Sequence, residues 1–77
     1  MVVNEMKVWN LRYIAGNTNF IFTAADSPMS RKKALEGFNT IAKYGWAVWV
    51  EDSFTGELIA ESEAEKQRQL DMLEGAV

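Results

Sequence analysis

The sequence predicts an α+β fold of order ββαββα: a four-stranded, mainly antiparallel sheet with one helix packed on a face and a second helix at the C-terminus. Three observations predict it. Two pairs of short alternating segments, within residues 7–24 and 46–62, are each joined by a glycine-containing turn. An apolar stripe at spacings of three and four runs between them, through residues 28–44. A serine-led capping pattern comes after the second pair. Strands and helices in this order form one layered domain.

The first strand is "KVWNLRYI", residues 7–14, which puts Trp9, Leu11 and Tyr13 on one face and Val8, Asn10, Arg12 and Ile14 on the other. "NFIFTA", residues 19–24, repeats the alternation with Phe20, Phe22 and Ala24 opposite Ile21 and Thr23. Gly16 and Asn17 between them tolerate positive φ, so residues 7–24 read as a hairpin. In the next segment Ser27 is the expected cap, Pro28 takes the first helical position, and Gly45 comes just after the last turn, where Lys43 complements the helix dipole. Ala34, Leu35, Phe38, Ile41 and Ala42 form the stripe that must pack on the sheet. Gly37 lies within that helix, where it costs about 1 kcal/mol against alanine, and a close approach of helix to sheet is one reason to tolerate it.

Beyond Gly45, Trp46, Val48 and Val50 alternate with Ala47, Trp49 and Glu51, and the β-branched and aromatic content favours a strand. "DSFTGE" reads as a hairpin loop with Gly56 in the left-handed position, and "ELIAES" returns as its partner. Ser62 and Glu65 then form an S-x-x-E capping box, with Glu63 and Glu65 in the first turn of a helix over residues 63–74. That helix is thinly apolar, so it docks by its C-terminal end, where Leu70, Met72 and Leu73 lie, or stays exposed. The whole is one domain, residues 1–77, with a flexible start at 1–6 and a tail at 75–77.

A chain of 77 residues buries only about 60% of the surface its unfolded form exposes, so each large side chain counts. The content is adequate: 48% of residues are hydrophobic, including three Trp, two Tyr and four Phe. The absence of cysteine excludes disulfides and thiolate metal sites and suits a reducing, cytoplasmic setting. The absence of histidine removes the commonest general base and metal ligand. No phosphate loop, nucleophile elbow or metal-ligand cluster is present, so neither an enzyme nor a cofactor or metal is expected. No apolar stretch approaches the roughly 20 residues that span a bilayer, and no leader pattern precedes residue 10.

Charge is unevenly divided. Residues 1–50 carry six basic and three acidic side chains, whereas residues 51–77 carry two basic and eight acidic ones. A partner with a basic surface therefore suits the C-terminal half. Trp46 and Trp49 fall on opposite faces of one strand because their separation is odd. One of them is left for the terminal helix, a loop or another molecule. The candidate partner-binding residues are Trp49 as an exposed aromatic anchor with Glu51, Asp52, Glu57, Glu61 and Glu65 as the acidic surface. The competing reading makes these carboxylates a solubilising surface and the second tryptophan a packed one. A nucleic-acid alternative uses Arg12, Arg31, Lys32 and Lys33 with a stacking aromatic such as Tyr13, although an acidic chain is a poor general binder of phosphates. Apolar surface in excess of what one amphipathic helix covers predicts a homodimer.

The run "GWAVWVEDSFTGELIAESEAEK" at 45–66, preceded by "KKALEGFNTIAKY", resembles small uncharacterised proteins encoded by phages and prophages. In them a helix leads into a W-x-V-W-V-E strand and a T-G turn. The resemblance implies an accessory protein of a mobile element and transfers no catalytic residue. The function expected is a non-enzymatic module that binds and blocks a host protein, such as a defence-system component. Nucleic-acid binding and a structural or assembly role in a virion are the alternatives.

Overall fold

Alternation in the sequence becomes a single four-stranded sheet in the computed structural model, which describes residues 6–16 and 18–75. The elements are β1 (Trp9–Ile14), β2 (Ile21–Thr23), α1 (Arg31–Ala42), β3 (Ala47–Asp52), β4 (Leu58–Glu61) and α2 (Glu63–Gly75). The strand order is β2-β1-β3-β4, and every adjacent pair is antiparallel. The chain therefore leaves the edge strand β2, crosses by way of α1, and returns as β3 on the far side of β1. Gly16 takes the positive φ expected in the first turn, at 49°, and Asn17 lies outside the described residues. So do the expected first stretch, 1–6, and the tail, 75–77, except for Met6 and Gly75, and Gly75 is still helical.

Register fixes the two faces. Leu11 pairs with Val50 and Tyr13 with Val48, while Arg12 pairs with Trp49 and Asn10 with Glu51. Successive side chains alternate across a strand, so the first set shares one face and the second set the other. α1 packs on the first face. Its Ala34 is wholly buried, and Phe38, Ile41 and Ala42 close over the cluster of Leu11, Met29, Val48 and Val50. Gly37 belongs to this contact: a Cβ there would stand 2.6 Å from Leu11 Cδ2, inside van der Waals contact. The close approach anticipated for Gly37 is thus the reason a glycine fits the middle of α1.

Three expectations change. α1 begins at Arg31 rather than at 28, with Ser30 as its cap accepting from Lys33 N–H. The backbone before it is taken up by the sheet: Trp9 N–H donates to Met29 C=O at 3.0 Å and Met29 N–H to Trp9 C=O at 2.8 Å. Ser27, the expected cap, instead accepts from Leu11 N–H at 3.1 Å, and the Ser27–Pro28 bond is cis. The second correction concerns α2, which docks by its N-terminal half, leaving Leu70, Met72 and Leu73 exposed. The third is a result of that docking. The sheet does not have one open face, because α2 covers β3 on the side opposite α1. Phe20 and Phe22 are exposed at the β2 edge.

Gly37→Ala sets a gain in helix propensity of about 1 kcal/mol against overpacking of about 1–3 kcal/mol. We expect a net loss of about 1 kcal/mol in urea denaturation. In a Leu11→Val background, where the clashing methyl is gone, the same substitution should become neutral or stabilising. Equal effects in both backgrounds would refute the contact as the cause.

Candidate functional site

Ser62 is the junction between sheet and α2. A hydroxyl has one proton to donate and two lone pairs to accept with, and here all three are used. Ser62 Oγ donates to Trp46 C=O at 3.0 Å and accepts from Val48 N–H at 3.1 Å and Glu65 N–H at 3.2 Å. The Ser62 N–H donates to Val48 C=O at 2.9 Å. The expected capping box is therefore half formed: the serine caps N3, but the Glu65 carboxylate does not reach back, since the Ser62 N–H is spent on the sheet.

Glu65 is buried, at 2% exposure, and its carboxylate turns along α2 instead. Arg68 donates to it twice, Nε to Oε1 at 2.6 Å and Nη2 to Oε2 at 2.9 Å, and Gln69 Nε2 donates to Oε2 at 2.9 Å. Burial raises the Glu65 pKa, but these hydrogen bonds and the Arg68 charge outweigh it and hold the carboxyl below its ordinary value. The hydrogen bond to Glu65 raises the Arg68 pKa against the opposing effect of burial. The Arg68 guanidinium in turn lies 5.4 Å from the centre of the Trp49 ring, and Arg12 lies 6.0 Å from it. The indole N–H donates to Glu51 Oε1 at 2.9 Å, and Arg12 Nη1 lies 3.4 Å from the same oxygen.

This assembly corrects the predicted partner surface. Trp49 is 6% exposed, so it is an internal packing residue under two guanidiniums and not an exposed anchor. Glu65 is inside the protein and paired. Glu51 is half-buried on the indole, and Asp52 Oδ1 accepts from Phe54 N–H at 2.7 Å and Thr55 N–H at 3.1 Å, closing the β3–β4 turn. Of the predicted acidic residues, Glu57, just before β4, is exposed, and Glu61, at the end of β4, is partly exposed. Arg12 is likewise engaged on the α2 face of the sheet, whereas Arg31, Lys32 and Lys33 are exposed on the first turn of α1, on the other side. The structure does not bring the four nucleic-acid candidates together.

The solvent-facing apolar side chains lie elsewhere. At the tip of the second hairpin Phe54 is 84% exposed, and Leu58 at the start of β4 is 47% exposed. They flank Glu57, and with Glu61 they give the outer margin of the hairpin an acidic and apolar character. The sequence signal for Phe54 is an aromatic set inside the turn "DSFTGE", which the candidate residues above do not include. A second group lies on the α1 face beyond the helix end. Tyr13 stacks on Phe22 at 5.7 Å and on Trp46 at 6.3 Å, and Tyr44 leans on Trp46 at 5.0 Å. Among the described residues no cluster of carboxylates is arranged to hold a metal ion, and no helix is long and apolar enough to cross a membrane. Comparison with known proteins gives no relative: no family model, curated protein or solved structure matches the chain.

Ser62→Ala leaves Val48 N–H and Trp46 C=O without their partner in a buried setting and removes a cap. Each loss is about 1 kcal/mol or more, so we expect about 3 kcal/mol of destabilisation, with hydrogen exchange in α2 accelerated before that in β1. Uniform acceleration across both elements would contradict the junction role. For Glu65 the folded pKa is depressed, so its contribution is complete above the unfolded value of about 4.3 and is lost as pH falls through the folded value. Glu65→Gln should therefore be less stable than the wild type at pH 7, and the gap should close in acid. A gap independent of pH would show that the carboxylate charge plays no part.

Proposed function

We propose that the protein is a non-enzymatic binding module that covers a surface of another protein. The contact is the outer margin of the β3–β4 hairpin. The observation carrying this reading is the combination there of two large exposed apolar side chains, Phe54 and Leu58, with the carboxylates of Glu57 and Glu61. Aromatic side chains presented to solvent supply binding energy in protein interfaces, and rim charges of one sign steer an oppositely charged partner and set the salt dependence of association. The partner is a protein with a basic surface. In this reading the form of activity is occlusion of a host factor and not turnover. No cofactor is required by it.

Affinity capture from bacterial lysate tests the reading. The intact protein should retain a defined partner, Phe54→Ala should reduce retention several-fold, and the double reversal Glu57→Lys, Glu61→Lys should remove its salt sensitivity. These side chains lie at the surface, so the thermal midpoint should shift little. Retention that is indifferent to both variants, or a catalytic turnover abolished by one carboxylate or lysine substitution in a folded protein, would overturn the proposal.

A further inference from the structure

The β4 edge has the form of a receiving site for an extended peptide. β4 is the last strand on its side of the sheet, so one row of its backbone groups has no strand against it among the described residues. Ser62 N–H points to Val48 C=O, which turns the amide and carbonyl of the preceding residue, Glu61, away from β3. Beside this edge runs an open groove of about 310 Å³, lined by Leu58, Ile59, Ala60 and Glu61 of β4 and by Lys66 from the first turns of α2. An edge strand with a helix alongside gives an added strand both its hydrogen bonds and pockets for alternate side chains. A shift in pairing between Val50 and Glu51 places a bulge opposite, but β4 resumes regular pairing at Ala60 and Glu61.

The geometry points to β-strand addition on β4 by a basic, extended segment of another protein, with alternating apolar side chains entering the groove. This rests on the reading of the chain as a protein-binding module and names how its partner is held. Charge decides the occupant. Glu57 and Glu61 bracket the edge, and the ammonium nearby, that of Lys66, lies 3.4 Å from Glu63. A second copy of β4 would set the same acidic edge against itself, and like charges across an antiparallel pair are destabilising. A segment carrying Lys or Arg at alternate positions meets those carboxylates with opposite sign.

Selection of a random-peptide display library on the full chain, with amide NMR and titration of the enriched peptides, tests this. The expected peptides carry alternating basic and β-branched or aromatic residues, shift the Glu61 amide and slow its exchange. Glu61→Pro removes the outward N–H at a position where the β3 ladder does not use it, and should weaken binding at least about tenfold. Glu57→Lys with Glu61→Lys keeps the edge, and should weaken basic peptides by a similar factor while admitting acidic ones. If Glu61→Pro lowers the melting temperature markedly, the charge reversal and N-methylation of the peptide at alternate amides carry the test. Enriched peptides that map to Phe54 and not to the Glu61 amide, or that bind Glu61→Pro as well as wild type while responding to the charge reversal, overturn strand addition while leaving the binding-module reading intact; peptides that map to the Tyr13, Phe22 and Trp46 row overturn both. A dimer of the chain that Glu61→Pro dissociates overturns the choice of occupant. A library that yields no binder overturns both.

Discussion

One hydroxyl group joins the two halves of this fold. Ser62 Oγ saturates its hydrogen-bonding capacity between Trp46 C=O, Val48 N–H and Glu65 N–H, so the start of β3 and the start of α2 are tied through a single atom. α2 needs that tie. Its only apolar residues other than Ala64 are Leu70, Met72 and Leu73, and all three are exposed, so no apolar stripe draws it onto the sheet. Isolated helices of about this length are marginal in water, and most helices of globular proteins persist by packing. Here a polar junction at the first turn supplies the anchoring, and the rest of α2 extends from it.

That anchoring determines how the second sheet face is covered. With α2 held at Ser62, Arg68 reaches Trp49, and its charge is matched by the Glu65 carboxylate one turn earlier. The indole is covered by guanidinium groups where a larger protein would use aliphatic side chains. A buried ion pair contributes little net stability against a hydrophobic alternative, because desolvation offsets attraction, yet removing one partner is costly since the other is left uncompensated. Its consequence is positional. Arg68 pairs with Glu65 and covers the Trp49 ring at once when α2 lies over β3 in this rotation, which orients a helix whose apolar residues do not specify it.

These dependencies explain which parts of the molecule are legible in its sequence. Period-two alternation in "KVWNLRYI" and "GWAVWVED" marks the two central strands because each has one side-chain set that must be buried, and the helical stripe containing Ala34, Phe38 and Ile41 marks α1 for the same reason. The opposite placement of Trp46 and Trp49 comes from parity alone. The start of α1 is not legible, because Ser27 and Pro28 carry a genuine local cap signal and a contact remote in sequence, Met29 with Trp9, overrides it. The acidic surface is smaller than the sequence suggests: the charge of Glu51, Asp52 and Glu65 is visible there, while their engagement by an indole, two turn amides and a guanidinium is not. Trp49 reads in sequence as a packed residue or as an anchor, and its burial under Arg68 and Arg12 decides for packing.

The same geometry accounts for where the apolar surface remains. α1 spends its contacts on β1 and β3, and α2 lies on β3, so both helices serve the central pair of strands. The outer strands are left with the margins: Ile21 and Phe22 on β2, Leu58 on β4, and Phe54 at the turn beyond it, all exposed. A domain this small has too little mass to cover both ends of a four-stranded sheet as well as both faces of its centre. The two margins differ in kind. β2 is three residues long and its Phe22 stacks back on Tyr13, which withdraws part of that surface from solvent. β4 ends in Glu61 and is preceded by Glu57, so its margin is acidic as well as apolar. In the proposed strand addition one set of residues serves twice, since carboxylates that repel an identical edge attract a segment of opposite charge.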